Sequence, residues 1–221
     1  YRSAVVFAVA QSIDQYLQKA IGFEKEIEFL KQQDYELFSW RARFFKENEK
    51  EEYLIAISAA TGEILGFSHT IKEGDYRPDE GEEIAKEKVV EFLKKRYRFD
   101  PDNYILHTHH QTKRENRIDY SFSWEKKDIF IRWSDKEDSG GAKLLLGASI
   151  SGDEIMDFSK ITMQIPDEFY RHLDREMTVG RNLAILFRIV FFSLLTSAIF
   201  YVVVRRNNLV MHTTKRFAMR L

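Results

Sequence analysis

Near the C-terminal end, the 22 residues Leu183–Val204 (LAILFRIVFFSLLTSAIFYVVV) carry a single charge, Arg188. As an α-helix at about 1.5 Å per residue, such a run reaches roughly 33 Å, enough to cross a bilayer core of about 30 Å. A helix on the surface of a soluble fold needs a polar face, and this stretch has none. Arg188 lies little more than a turn inside and can return its guanidinium to the headgroups along its aliphatic stem. The sequence therefore predicts a transmembrane helix at 183–204. Every other part of the chain must lie on one side of it or the other.

Charge assigns the sides. Tyr1–Val204 holds 29 basic and 35 acidic residues, whereas 205–221 holds Arg205, Arg206, Lys215, Arg216 and Arg220 with no acid. Cations next to a span mark the cytoplasmic side, so the large N-terminal portion is expected outside the cytoplasm. Arg188, Arg205 and Arg206 are the expected membrane-interface residues. With 44% hydrophobic and 14% aromatic residues, the chain has the material for a packed core. A formal net charge of −1 supplies no global basic field, which argues against nucleic acid as a partner. The absence of cysteine excludes disulfides, Cys-ligated zinc, iron–sulfur clusters and thiol catalysis together. Tyr1 in place of Met reads as a processed chain or a piece of a longer one.

Hydrophobic periodicity alternates between helix and strand. Val6, Val9, Ile13, Tyr16, Leu17 and Ala20 recur at helical steps and predict a helix over 3–31. Strand-like runs follow at 37–45, 53–59 and 64–71, with turns at Asn48 and Thr61-Gly62. A polar linker, GDYRPDEG at 74–81, leads to a second helix over 82–98. Further strands are expected at 103–112, 117–124, 142–149 and 154–165. Pro166, with Asp167 and Glu168, suits the start of a helix that runs into the span.

This order reads as a duplication. AATGEILGFSHTI (59–71) resembles ISGDEIMDFSKIT (150–162), with Glu63/Glu154, Ile64/Ile155, Phe67/Phe158 and Ser68/Ser159 coinciding at an offset of 91. The preceding helices align at an offset of 76, Leu17 on Leu93 and Phe23 on Phe99, and a longer connection at 125–143 accounts for most of the difference. The expected fold class is α+β. Two tandem modules, 1–74 and 75–165, each pack a helix on an antiparallel sheet, followed by a juxtamembrane helix at 166–182, the span at 183–204 and a basic segment at 205–221.

FSWRARFFKENEKEEYLIAISAATGEILGF (38–67) resembles the PepSY type of extracytoplasmic module, with its strand, TGE-like turn and strand. Together with NRIDYSFSWE (116–125) and GDEIMDFSKITMQIPDEFYR (152–171), it is similar to the N-terminal region of bacterial CAAX-protease-like (CPBP) intramembrane endopeptidases. That resemblance implies a multi-pass hydrolase whose protease helices follow Leu221 in the same chain. Any divalent metal would belong to that parent, and this segment would be a non-catalytic sensor or substrate-gating part with no cofactor of its own. The implied partners are the bilayer, the protease helices and a peptide or envelope protein. The alternative is a free-standing single-span surface protein that binds a ligand or envelope partner. The paired glutamates Glu51-Glu52 and Glu82-Glu83 lack the membrane setting of the protease signature.

Trp40, Arg43, Arg117, Asp119 and Trp124 carry the resemblance and are the candidate binding residues. An Arg117–Asp119 pair on one strand face reads as a structural bridge or a binding spot. Among other chemistry, His107, His109 and His110 lie on an expected strand, where period-2 spacing puts His107 and His109 on one face. Two imidazoles begin a zinc or copper site, but no third ligand is identifiable, and a polar strand face is the simpler reading. No GxSxG nucleophile turn and no phosphate-cradling glycine loop occurs.

Overall fold

The computed structural model describes residues 1–97, 99–135 and 140–218, with side chains as far as Arg205. The chain divides into a compact unit, Tyr1–Phe169, and a second unit that begins at Tyr170. The class is α+β. In chain order the elements are β1 Arg2–Val9, α1 Gln11–Ile21, α2 Phe23–Gln33, β2 Phe38–Phe45, β3 Glu52–Ser58, β4 Ile64–Thr70 and α3 Glu82–Tyr97. A short 3-10 turn, Pro101–Asn103, precedes β5 Tyr104–Lys113, β6 Ile118–Lys126, β7 Ile131–Arg132, β8 Gly141–Ser151, β9 Glu154–Gln164 and α4 Asp167–Ala218. All strand pairs are antiparallel, in the order β1-β2-β3-β4-β9-β8-β6-β5, with β7 added beside β8.

One expected element changes type. The helix expected over 3–31 is a strand at Arg2–Val9 followed by two helices, broken at Gly22 with φ +81°. The spacing of Val6 and Val9 suits a helix, but RSAVVFAV holds three valines and a phenylalanine, whose branched or aromatic side chains favour a pleated surface. Pairing along the full length of β2, from Arg2↔Phe45 to Val9↔Phe38, then decides the conformation.

The two halves of the sheet meet at β4 and β9, where Gly66, Phe67 and Ser68 face Ser159, Phe158 and Asp157. Phe67 and Phe158 are 91 residues apart, the offset at which the two segments align, so equivalent residues stand opposite each other. An antiparallel pair with this register has a local two-fold axis through its central residues. The flanking hairpins obey it. β3 and β4 are irregular beside Leu65, with Ile57↔Ile64 followed by Ala56↔Gly66; β8 and β9 are irregular beside Met156, with Ile150↔Ile155 followed by Ser149↔Asp157. Leu65 and Met156 are again 91 apart. Gly66 permits the seam, because a Cβ there would lie 2.7 Å from the Phe158 carbonyl oxygen.

Register also defines a row of side chains across one face: Val5, Ala42, Ile55, Phe67, Phe158, Ala148 and Phe122, each opposite the next. In the C-terminal half this face is closed by α3. Ala85, Val89 and Leu93 recur every four residues and pack with Phe122, Trp124, Leu146, Ala148, Ile150 and Phe158. Phe92 of α3 meets Phe67 edge-on at 6.2 Å, and Tyr97 stacks on Phe158 at 3.8 Å. The helix α1 packs elsewhere, and the end of α2, at Leu30 and Lys31, lies beside Phe7 and Phe38. Tyr16 and Leu17 are fully buried; the Tyr16 hydroxyl donates to the Ile131 carbonyl (2.6 Å) and accepts from the Ala142 N–H (3.0 Å), and its ring abuts Phe169.

Within the second unit, α4 carries an apolar window of mean hydropathy 2.3, none of it buried against protein, and is long and apolar enough to cross a membrane. Thr196 and Ser197 hydroxyls donate to the Phe192 and Ser193 carbonyls one turn back, so neither polar group needs water. Arg205 lies over the Tyr201 ring and donates to its hydroxyl at 3.3 Å. Arg188 lies inside the same helix, and the Arg206 side chain is outside the described atoms.

Candidate functional site

The residues nominated from sequence do not form one cluster. Arg117 is buried on the approach to β6. Its Nη1 donates to the carbonyls of Lys72 (2.7 Å), Glu73 (2.9 Å) and Asp75 (3.2 Å), and its Nε to Asp119 (2.9 Å). Three donated bonds fix the linker between the halves and the fourth holds the guanidinium to β6, so the Arg117–Asp119 pair is a structural clamp. Trp124 lies in the core between Phe99 and Phe122. Arg43 is tied to Glu52 (Nε to Oε2, 2.8 Å) and lies over Phe45, on the face opposite Phe44 and Trp40. Trp40 alone of the five presents an apolar surface to solvent, 46% exposed, with Phe7 edge-on at 5.0 Å.

The histidines are separated by a feature that spacing conceals. β5 pairs Leu106↔Trp124 and then Thr108↔Ser123, leaving His107 as an extra residue in a bulge. His107 Nδ1 consequently reaches Glu125 at 3.1 Å, which also accepts from Lys143, while His109 Nδ1 reaches Glu82 on α3 at 2.7 Å. The two imidazoles serve opposite faces and do not share a ligand position. Among the described residues no group of three or more His, Asp or Glu side chains is placed to hold a metal. His69 was not singled out by sequence. Its ring stacks on Tyr53 (4.1 Å), with Nδ1 2.6 Å from Glu154 and Nε2 3.1 Å from Glu51, and Arg77 also holds Glu154. The ring therefore links both hairpins to the linker. Its partners lie up to 85 residues away, beyond the reach of any local motif.

The strongest candidate site is the outer edge of β1. It is the first strand of the sheet, so one row of its backbone N–H and C=O groups faces outward without a strand partner among the described residues. Natural edges are blunted by charge, proline or a bulge. The opposite edge, β5, carries His107, His109, His110 and Lys113 and is bulged. Between Arg2 and Val9, β1 has no charge, proline or bulge, and Val5, Val6, Phe7 and Val9 are half exposed or more. An extended peptide added here would gain main-chain hydrogen bonds along the edge and apolar neighbours on both faces, Val5 and Phe7 on one, Ala4 and Val6 on the other.

A second concave surface lies on the face away from α3. It encloses about 430 Å³ and is lined by Arg41, Leu54, Gly66, Ser68, Asp157 and Ser159 among others. Desolvation pushes the Asp157 carboxyl above its usual value, and a hydrogen bond from Ser68 works against the shift. The side chain remains open to water while protein surrounds it, as a concave site requires.

No protein-family model, curated protein or solved structure matches this chain.

Proposed function

We propose that Tyr1–Phe169 is a non-catalytic peptide-binding module carried by a membrane-spanning helix, and that it lies outside the cytoplasm as the sensor or substrate-gating segment of a CAAX-protease-like intramembrane endopeptidase. The observation that supports it is the unblunted edge of β1. A sheet edge is the part of an antiparallel fold that accepts a chain of any sequence through its backbone and selects through alternate side chains. The PepSY-like strand–turn–strand at 38–67, which resembles the extracytoplasmic part of such enzymes, supplies the parent. A peptide sensor of this kind would couple the presence of an unfolded or cleaved envelope chain to access at a membrane active site.

The test is binding of an alternating apolar octapeptide to the full chain in lipid nanodiscs, followed by amide protection along 2–9. Strand addition predicts new protection of alternate β1 amides. It also predicts loss of binding when alternate peptide nitrogens are methylated, and when Val6→Lys charges the edge. Equal binding of methylated and unmethylated peptides would overturn the edge-strand reading. The parent is tested by the coding sequence beyond Leu221. Apolar spans bearing glutamates and histidines support the endopeptidase, and a stop codon overturns it in favour of a free-standing surface protein.

A further inference from the structure

The local two-fold axis at Phe67 and Phe158 exposes an asymmetry. Rotation about it carries β6, β8 and β9 onto β2, β3 and β4, and would carry α3 onto the face formed by β1, β2 and β3. Among the described residues of Tyr1–Phe169 no helix packs across that face, and only the end of α2, at Leu30 and Lys31, borders it beside Phe7 and Phe38. The residues equivalent to the α3 floor are open instead: Tyr120, Phe122 and Trp124 are buried, whereas their counterparts by register, Trp40, Ala42 and Phe44, are exposed or half-exposed. Val5 is 60% and Phe7 50% exposed on the same face. The preceding helix α1 does not fill the gap, because Tyr16 is buried against Ile131, Ala142 and Phe169, and α2 reaches only the Phe7–Phe38 end of the face.

We propose that this face is the docking site for an amphipathic α-helix of about four turns supplied by another protein, seated as α3 is seated on the second half. Three features carry the proposal. The apolar side chains are contiguous across three strands, and Phe7 meets both neighbours on β2, stacked on Phe38 at 6.0 Å and edge-on to Trp40 at 5.0 Å. Clustered aromatic residues with an apolar surround are the usual anchors of protein interfaces. Ala42 stands where the second half has Phe122, which leaves a notch between Trp40 and Phe44 for a large side chain from the incoming helix. The axis also sets direction. Tyr120 reaches Asp79 just before α3 begins, so the docked helix starts over Trp40 and ends over Phe44. The site is the face of the sheet, separate from the β1 edge.

The probe is a fluorescent synthetic peptide with the sequence of residues 80–97, which contains the one helix known to fit this type of floor. It is titrated against the full chain in nanodiscs, with anisotropy as the readout and hydrogen exchange locating the footprint. Binding is expected to protect β2 and β3, to weaken at least tenfold in Trp40→Ser and Val5→Ser, and to be unchanged in Leu54→Ser on the opposite face. Circular dichroism verifies that each variant is folded, and Val5→Ser, at a solvent-exposed position, serves if Trp40→Ser is not. Absence of binding, or equal binding to all variants, overturns the proposal. Concentration-dependent dimerisation that Trp40→Ser abolishes would assign the face to a second copy and overturn the helix as occupant. Retained binding in Val6→Lys separates this site from the edge.

Discussion

Phe67 and Phe158 face each other across the β4–β9 seam with ring centroids 6.1 Å apart, and each is the other's counterpart in the duplicated segment. Their environments differ because only one half carries α3. Phe158 is 2% exposed and touches Tyr97, Phe92 and Phe67, while Phe67 is only partly buried. Phe158→Ala should cost about 3–5 kcal/mol, the usual range for a buried phenylalanine, and Phe67→Ala distinctly less. Urea denaturation of the full chain in detergent gives the order. Equal losses would contradict the asymmetry.

Gly66→Ala tests the seam itself. The added Cβ meets the Phe158 carbonyl oxygen at 2.7 Å, and that neighbour is backbone, so the strands must separate. A loss of about 1–3 kcal/mol is expected, as for other overpacked sites. Faster amide exchange confined to β4 and β9 checks the location, and an unchanged exchange pattern would contradict it.

Much of this architecture was legible in the sequence because it is local. Alternation in 37–45, 53–59 and 64–71 and the apolar face of 82–98 produced β2, β3, β4 and α3 within a residue or two. Asn48, with φ +62°, and Gly62, with φ +77°, both adopt the conformation their turns require. The failures were contacts at long range. Val6 and Val9 fit a helical period equally well, and only pairing with β2 decides for strand. The bulge at His107 is set by its partner β6, so period-2 counting put two histidines on one face when they serve two. Arg117 was visible as half of a pair, but its three carbonyl acceptors lie 42–45 residues earlier in a linker with no pattern. The open β1 edge was hidden because the strand itself was read as helix.

The Arg117 clamp gives a stability prediction distinct from binding. Its guanidinium side chain is 5% exposed, and three linker carbonyls depend on it. Arg117→Met should cost roughly 3 kcal/mol by leaving buried acceptors unpaired. Arg117→Lys should recover only part of this, since one ammonium cannot reproduce the fork. Limited proteolysis should show new cleavage near 72–75, with affinity for the octapeptide unchanged in the folded fraction. Unchanged stability would return Arg117 to the list of binding residues.

Glu26 makes stability depend on pH. It is 2% exposed on α2, and desolvation, followed by its hydrogen bond and charge interaction with Asp14, pushes its carboxyl up to about 7 from 4.5. A raised folded value means that the native state binds the extra proton between these limits. The associated stability is present below about 4.5 and is lost as pH rises through 7. Glu26→Gln should therefore stabilise the protein by roughly 1–3 kcal/mol at pH 8 and remove that part of the decline. Thermal melts of wild type and variant from pH 5 to 8 check the sign. A benefit greater at pH 5 than at pH 8 would contradict it.

The final prediction concerns the sides of the membrane. α4 is long and apolar enough to span, and five cations follow Val204 without an acid, so the unit that holds β1 is expected outside the cytoplasm. The chain has no native cysteine, which makes single-cysteine labelling unambiguous. Thr61 lies in the exposed turn between β3 and β4, and Asn207 follows Arg206 just past the apolar run. Thr61→Cys should react with a membrane-impermeant maleimide on intact cells or spheroplasts, and Asn207→Cys only after permeabilisation. Reaction of both in intact cells would mean that α4 does not cross the bilayer. The reverse pattern would place the open β1 edge in the cytoplasm, where envelope peptides never meet it, and the sensor proposal would fall with the orientation.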